Sequence, residues 1–334
     1  MTALLEVSNL KVGFSKNDDF INVIKGINFV VEKGETLGIV GESGCGKSMT
    51  SLAIMGLLKY RGLSVSQGEI KWQGENLLTR SDKEWAEILG NDIAMIFQEP
   101  MTALNPMLTV GTQIMEQIRA HKNVSKKEAE ALAIEMLRKV GIPSPESRMK
   151  VYPHEMSGGM RQRVMIAMAI SCEPQLLIAD EPTTALDVTI QAQILELLSD
   201  VVQETKSSMI LITHDLGVVS NYCQRVLVMY SGKVMEEAPT KQLFSNPLHP
   251  YTRGLIESVK SIEENSHRIK AISGMVPMPG DVINGCVFCE RCPFATDICS
   301  QASPDLEVLD DGRKVSCWNY KDIAEGGVVN GTTH

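Results

Sequence analysis

The stretch Gly41-Glu42-Ser43-Gly44-Cys45-Gly46-Lys47-Ser48 restricts the fold more than any other part of the chain. It fits the phosphate-binding pattern G-x-x-x-x-G-K-[ST], follows an apolar run ending at Val40, and precedes a helical stretch from Met49 to Leu58. Gly41, Gly44 and Gly46 let the backbone curl. The N–H groups of the loop, through Ser43 and Cys45 to Met49, and the helix N-terminus then face phosphate oxygens. Lys47 is expected to reach the β/γ oxygens and the Ser48 hydroxyl to bind Mg²⁺. Cys45 reads as a space-filling loop residue, not a reactive thiol.

A strand, loop and helix in that order imply an α/β core. Short, nearly continuous apolar runs recur at Thr36–Val40, Asp92–Phe97, Leu176–Ala179, Met209–Thr213 and Arg225–Met229. Such runs are expected of strands covered on both faces by helices. The fourth apolar residue of Leu176–Ala179 is followed by Asp180 and Glu181, which puts paired carboxylates at a strand's carboxyl end, where open α/β sheets bind ligands. Asp180 is the natural Mg²⁺ partner, and Glu181 can orient and deprotonate an attacking water.

Between Phe97 and Ser157 the strand signal gives way to a helical insert. Ser125 with Glu128 three residues on is a capping box. The predicted apolar face is Leu132, Met136 and Val140, stopped by Gly141 and Pro143. Ser231-Gly232 reads as a tight hairpin turn between Val226–Met229 and Lys233–Met235. Beyond Asn246 the prolines, Gly280 and cysteines predict a loop-rich appendage, with a frayed tail from Gly326-Gly327 to His334.

Charge and hydropathy narrow the function. Lys plus Arg number 32 against 41 Asp plus Glu, for a net charge of −9, which disfavours nucleic acid as the main partner. No apolar run approaches the ~18 residues that span a bilayer, and Glu6 lies where a signal peptide would be apolar. The chain is expected to be cytosolic or to sit on a membrane without crossing it. Of eight cysteines, Cys45, Cys172 and Cys223 are isolated, whereas Cys286, Cys289, Cys292, Cys299 and Cys317 crowd together. In a reducing compartment such crowding reads as ligation of a metal or cofactor before it reads as disulfides.

Met156-Ser157-Gly158-Gly159-Met160-Arg161-Gln162-Arg163 resembles the signature loop of ABC transporter ATPases, with Met160 in place of the more frequent Gln. Ser157, Gly158 and Gly159 open a helix, expected from Arg163 to Cys172, that aims a second helix N-terminus at an anion. The resemblance implies a phosphate-loop NTPase fold of the ABC nucleotide-binding type. A RecA-like core spans 1–97 and 158–245, a helical subdomain with the signature loop spans 98–157, and a Cys-rich extension spans 246–334. It implies that the signature loop of one subunit closes on ATP held by the phosphate loop of another. Gln98 then matches the residue that senses Mg²⁺ and water, and His214 the switch histidine at the γ-phosphate. Ala185-Leu186-Asp187 matches the interface loop, and Phe14 the adenine-stacking aromatic, with Phe20 as competitor.

Asn246 to Thr252, Gly285-Cys286, Arg291 to Phe294 and Glu99 to Pro106 resemble the oligopeptide, dipeptide and nickel permease ATPases. That implies a D-type ATPase paired with an F-type paralogue, two permease subunits and an extracytoplasmic solute-binding protein, at the cytoplasmic face of the inner membrane. Import of peptides is the expected work, with nickel or another metal complex as the alternative. A soluble ABC ATPase acting on nucleic acid or the ribosome is the rival class. In such relatives four cysteines, matching Cys286, Cys292, Cys299 and Cys317, hold a [4Fe-4S] cluster. Thiolates also suit Zn²⁺, and the extra Cys289 leaves the ligand set open by one residue. Because this extension lies outside the core, loss of the group its cysteines hold is expected to leave ATP binding intact, with assembly or transport suffering first.

Overall fold

Continuous and alternating apolar patterns produce two kinds of sheet in the computed structural model, which describes residues 3–17, 19–184, 186–263 and 272–324. The strands are β1 (Ala3–Lys16), β2 (Asp19–Glu32), β3 (Thr36–Val40), β4 (Ser64–Trp72), β5 (Glu75–Asn76), β6 (Ile93–Ile96), β7 (Leu176–Asp180), β8 (Ser208–Thr213), β9 (Arg225–Tyr230), β10 (Lys233–Pro239), β11 (Glu307–Val308) and β12 (Lys314–Val315). The chain divides into two units, one formed by Glu32–Glu35 with Leu77–Ile212 and the other by Ala3–Val31, Thr36–Asn76 and the residues from Thr213 on.

In the first unit β6, β7 and β8 run parallel, with Ile93 opposite Leu176 and Leu176 opposite Ser208. Every residue of these strands is buried, as apolar runs covered on both faces require. The helix Lys126–Lys139 starts as its capping box dictates. The Ser125 hydroxyl accepts from the Glu128 N–H at 3.3 Å, and the Glu128 carboxylate accepts from the Ser125 N–H at 2.7 Å. Its buried face differs from the expected one. Ala129, Ala133 and Leu137 are buried and lead to buried Val140, while Leu132 and Met136 are only half-buried. Small alanines let a neighbouring helix approach closely, so the stripe centres on them and leaves the larger side chains at its margin.

In the second unit β3 runs parallel to β9, with Leu37 opposite Arg225, and β9 turns back antiparallel into β10. The turn is the expected Ser231-Gly232, at φ 44° and 80°, the left-handed pair that matches strand twist in a two-residue hairpin. A Cβ on Gly232 would lie 2.0 Å from the Val23 carbonyl oxygen, so only glycine fits. A separate antiparallel sheet has the order β2-β1-β4-β5, with Leu5 opposite Trp72 and Val7 opposite Ile70.

The tail is more regular than the loop-rich appendage expected. It holds the helices Pro250–Glu263, Asp297–Gln301 and Tyr320–Ala324, a 3₁₀ turn at Cys289–Arg291, and β12, which pairs with β10 through Val315 and Glu236. The expected fraying from Gly326 to His334 concerns residues outside those described.

Candidate functional site

In the second unit the phosphate loop leaves β3 at Gly41, where a φ of 154° and a Cβ that would lie 2.2 Å from the Met229 carbonyl oxygen demand glycine. The helix that follows spans Lys47–Ile54 with Gly46 as its N-cap, shorter than the Met49 to Leu58 expected. Gly56, at φ 64°, breaks the run, and a 3₁₀ turn takes Leu58–Arg61. The Lys47 ammonium is buried over the loop and donates to the carbonyls of Gly41 at 2.8 Å and Glu42 at 3.2 Å. Cys45 is buried with its sulfur 4.0 Å from Lys47 Nζ, and burial pushes its thiol up, as a packing residue requires. Ser48 and Met49 occupy the first turn of the helix. His214 follows β8 directly and is exposed. Phe14 lies half-buried on β1, and Phe20 is exposed on β2.

In the first unit β7 ends on buried Asp180, and Glu181 follows at φ 45°, in the left-handed region that ordinary residues avoid. Its N–H donates to the Ile212 carbonyl at 2.9 Å. Its carboxylate accepts from Gln98 Nε2 at 3.0 Å and from the Thr184 hydroxyl at 3.0 Å. The structure thus joins Gln98 to Glu181 and adds Thr184, which sequence reading passed over although it belongs to the same Glu181-Pro182-Thr183-Thr184 run. The signature helix spans Gly158–Ile170, starting earlier than the Arg163 expected, because Ser157 caps it by accepting the Met160 N–H at 3.4 Å. Asp187 caps the helix Val188–Thr205 in the same way, and Ala185 lies outside the described residues.

The tail cysteines converge. Cys286, Cys289, Cys292, Cys299 and Cys317 line one void with His249, Phe288 and Trp318. Among the described residues no three His, Cys, Asp or Glu side chains stand close enough to hold one metal ion, so the convergence is not a formed single-ion site. Five soft donors around one apolar-walled void do match, in kind, a thiolate-held group. Burial pushes the thiols of Cys292 and Cys317 up to about 12 and also raises Cys286. Cys286, Cys292 and Cys317 each receive a backbone N–H, from Phe288, Phe294 and Asn319. Cys299 lies 3.4 Å from the Thr296 hydroxyl and accepts from Asn319 Nδ2 at 3.8 Å. Cys289 is raised instead by burial and then by the nearby Cys299 and Glu290.

Buried Glu236 clasps the tail to β10. Its carboxylate accepts the N–H groups of Leu248 at 2.8 Å and His249 at 2.9 Å. His249 Nδ1 accepts the Tyr251 N–H at 3.0 Å, and burial lowers this imidazole to about 3, so it stays neutral.

Parallel buried strands, a glycine-rich loop capped by a lysine, and a strand ending in paired carboxylates define a phosphate-loop nucleoside triphosphatase. A model of ABC transporters matches residues 24–184, and a model of the oligopeptide/dipeptide transporter C-terminal region matches residues 235–299. The oligopeptide transport ATP-binding protein AppD of Bacillus subtilis is 52% identical over 96% of this chain and 98% of its own. The dipeptide transport ATP-binding protein DppD of Escherichia coli is 48% identical over 94% of this chain and 96% of its own. The dimeric ATP-binding cassette MJ0796, solved with ADP and Pi in a post-hydrolysis state, superposes with a TM-score of 0.64 at 26% identity, covering 71% of this chain and 98% of that one. The chain belongs to the ABC transporter ATP-binding family.

Proposed function

We propose that this chain hydrolyses ATP to drive import of di- or oligopeptides through a separate permease. The observation that carries the reading is near-full-length similarity to relatives named for oligopeptide and dipeptide transport, tail included. Those names favour peptides over nickel and over nucleic acid or the ribosome. Lys47 and the loop N–H groups bind the β/γ phosphates, with Gly41, Ser43, Gly44 and Gly46 shaping the loop and Phe14 or Phe20 stacking on adenine. Ser48, Asp180 and Gln98 would hold Mg²⁺, which neutralises charge developing on the transferred phosphoryl group. Glu181 accepts the proton of the attacking water, Gln98 and Thr184 orient its carboxylate, and His214 contacts the γ-phosphate. Ser157, Gly158 and Gly159 complete a second subunit's nucleotide site.

Partners in this reading are an F-type paralogous ATPase, two permease subunits and an extracytoplasmic solute-binding protein. The place of work is the cytoplasmic face of the inner membrane, and no described helix is long and apolar enough to cross it. Cys286, Cys292, Cys299 and Cys317 would hold a [4Fe-4S] cluster, with zinc as the alternative. Support comes from the N–H groups directed at these four sulfurs, the usual means of stabilising ligated thiolates.

The experiment is peptide uptake by cells carrying the permease, solute-binding protein and ATPase pair. Uptake of a labelled dipeptide should require this chain and disappear with Lys47→Ala. Uptake indifferent to that substitution, or nickel accumulated in place of peptide, would overturn the assignment.

A further inference from the structure

Glu42 is an awkward residue for its place. A carboxylate at the second position of a phosphate loop repels the polyphosphate that the loop must hold. Its partner comes from the tail, 249 positions on: Arg291 Nη1 meets Glu42 Oε2 at 2.6 Å, and Nη2 meets Oε1 at 3.0 Å, a bidentate pair. The Arg291 side chain is 5% exposed. Its remaining donors go to the Tyr230 hydroxyl at 3.2 Å and to the carbonyls of Ile272 at 3.1 Å and Ser273 at 3.0 Å. A guanidinium so fully engaged has one position available to it.

A second tail residue grips the same place, since the Glu42 backbone N–H donates to the Tyr251 hydroxyl at 2.9 Å. Tyr230, Tyr251 and Phe288 cluster behind the pair with ring centroids 4.8 to 5.3 Å apart, Tyr230 and Phe288 edge to face and the other two pairs tilted. Phe288 also lines the cysteine void, and Arg291 sits in the turn Cys289–Arg291. The tail therefore touches the phosphate loop through both the side chain and the backbone of one residue.

We infer that Arg291 is a positioning residue that masks the charge of Glu42, so that the cysteine-bearing tail forms part of the nucleotide site. The inference rests on the reading of Gly41–Ser48 as the ATP-binding loop. It runs against the independence of tail and ATP binding expected from the sequence.

ATP affinity of the full chain, measured by calorimetric titration with Mg-ATP, tests it through a cycle of variants. Arg291→Gln should weaken binding roughly tenfold, as an unmasked charge near phosphate does. Glu42→Gln/Arg291→Gln should recover to within about threefold of the parent, because no carboxylate remains to repel the nucleotide. A purely structural brace would leave the double variant as weak as Arg291→Gln. Glu42→Gln alone should bind ATP at least as tightly as the parent, and this decides the question if Arg291→Gln does not fold. Unchanged affinity in Arg291→Gln, no recovery in the double variant, or weaker binding by Glu42→Gln would each overturn the inference. Lys47→Ala is the control: if it binds ATP as the parent does, the loop reading itself fails, whereas weak binding there with a silent Arg291→Gln sinks the inference alone.

Discussion

Gln98 and Glu181 lie 83 residues apart in the chain, and the structure joins them by a 3.0 Å hydrogen bond from the Gln98 amide to the Glu181 carboxylate. The bond fixes the direction of the carboxylate, which a general base needs more than added basicity. Gln98→Glu would set two carboxylates against each other and swing Glu181 away. We expect ATP turnover of the assembled transporter to fall about 10²-fold, the usual cost of displacing a reacting group by an ångström. Phosphate release at saturating ATP checks this, and turnover within twofold of the parent would remove Gln98 from the site.

The Glu236 clasp predicts a stability effect remote from chemistry. Glu236→Ala leaves the buried N–H groups of Leu248 and His249 without partners. At about 1–3 kcal/mol for each, the loss should be roughly 2–6 kcal/mol and should open the tail to protease before the rest of the chain. Limited proteolysis with mass mapping reads it directly.

Neutral, buried His249 gives a pH dependence with a definite sign. Its folded value of about 3 lies below the ordinary ~6.5, so the unfolded chain binds the extra proton between those values. Stability is unaffected above about 6.5 and falls by up to about 1.4 kcal/mol per pH unit below it. Thermal unfolding between pH 7 and pH 4 should show this slope, and His249→Gln should flatten it.

The cysteines supply a test by substitution. Because donors are directed at Cys286, Cys292, Cys299 and Cys317, Cys289→Ser should keep iron and sulfide after anaerobic purification, whereas Cys292→Ser should lose both. Stoichiometric zinc without iron in the parent would replace the cluster with a structural Cys₄ site.

Much of this was legible in the residues because the signals are local. A loop between strand and helix, a capping box at Ser125, and a hairpin at Ser231-Gly232 are each written within a few positions. The antiparallel sheet of β1, β2 and β4 went unread because its strands mix buried and exposed residues and resemble polar connecting chain. The buried stripe of Lys126–Lys139 was misplaced because alanine carries little hydrophobic signal yet decides where helices pack closely. What no local reading could supply was long-range pairing. Arg291 stood out only as a neighbour of Cys292, and nothing near Glu42 announces that a tail arginine neutralises it.

The central claim is hydrolysis with Glu181 as base, and Glu181→Gln in the assembled transporter tests it most directly. The amide is isosteric and can still hold a water, but it cannot take the proton. ATP should bind with parental affinity while single-turnover hydrolysis falls about 10²- to 10⁴-fold, trapping unhydrolysed ATP on the protein. Hydrolysis near the parental rate in that variant would contradict the account.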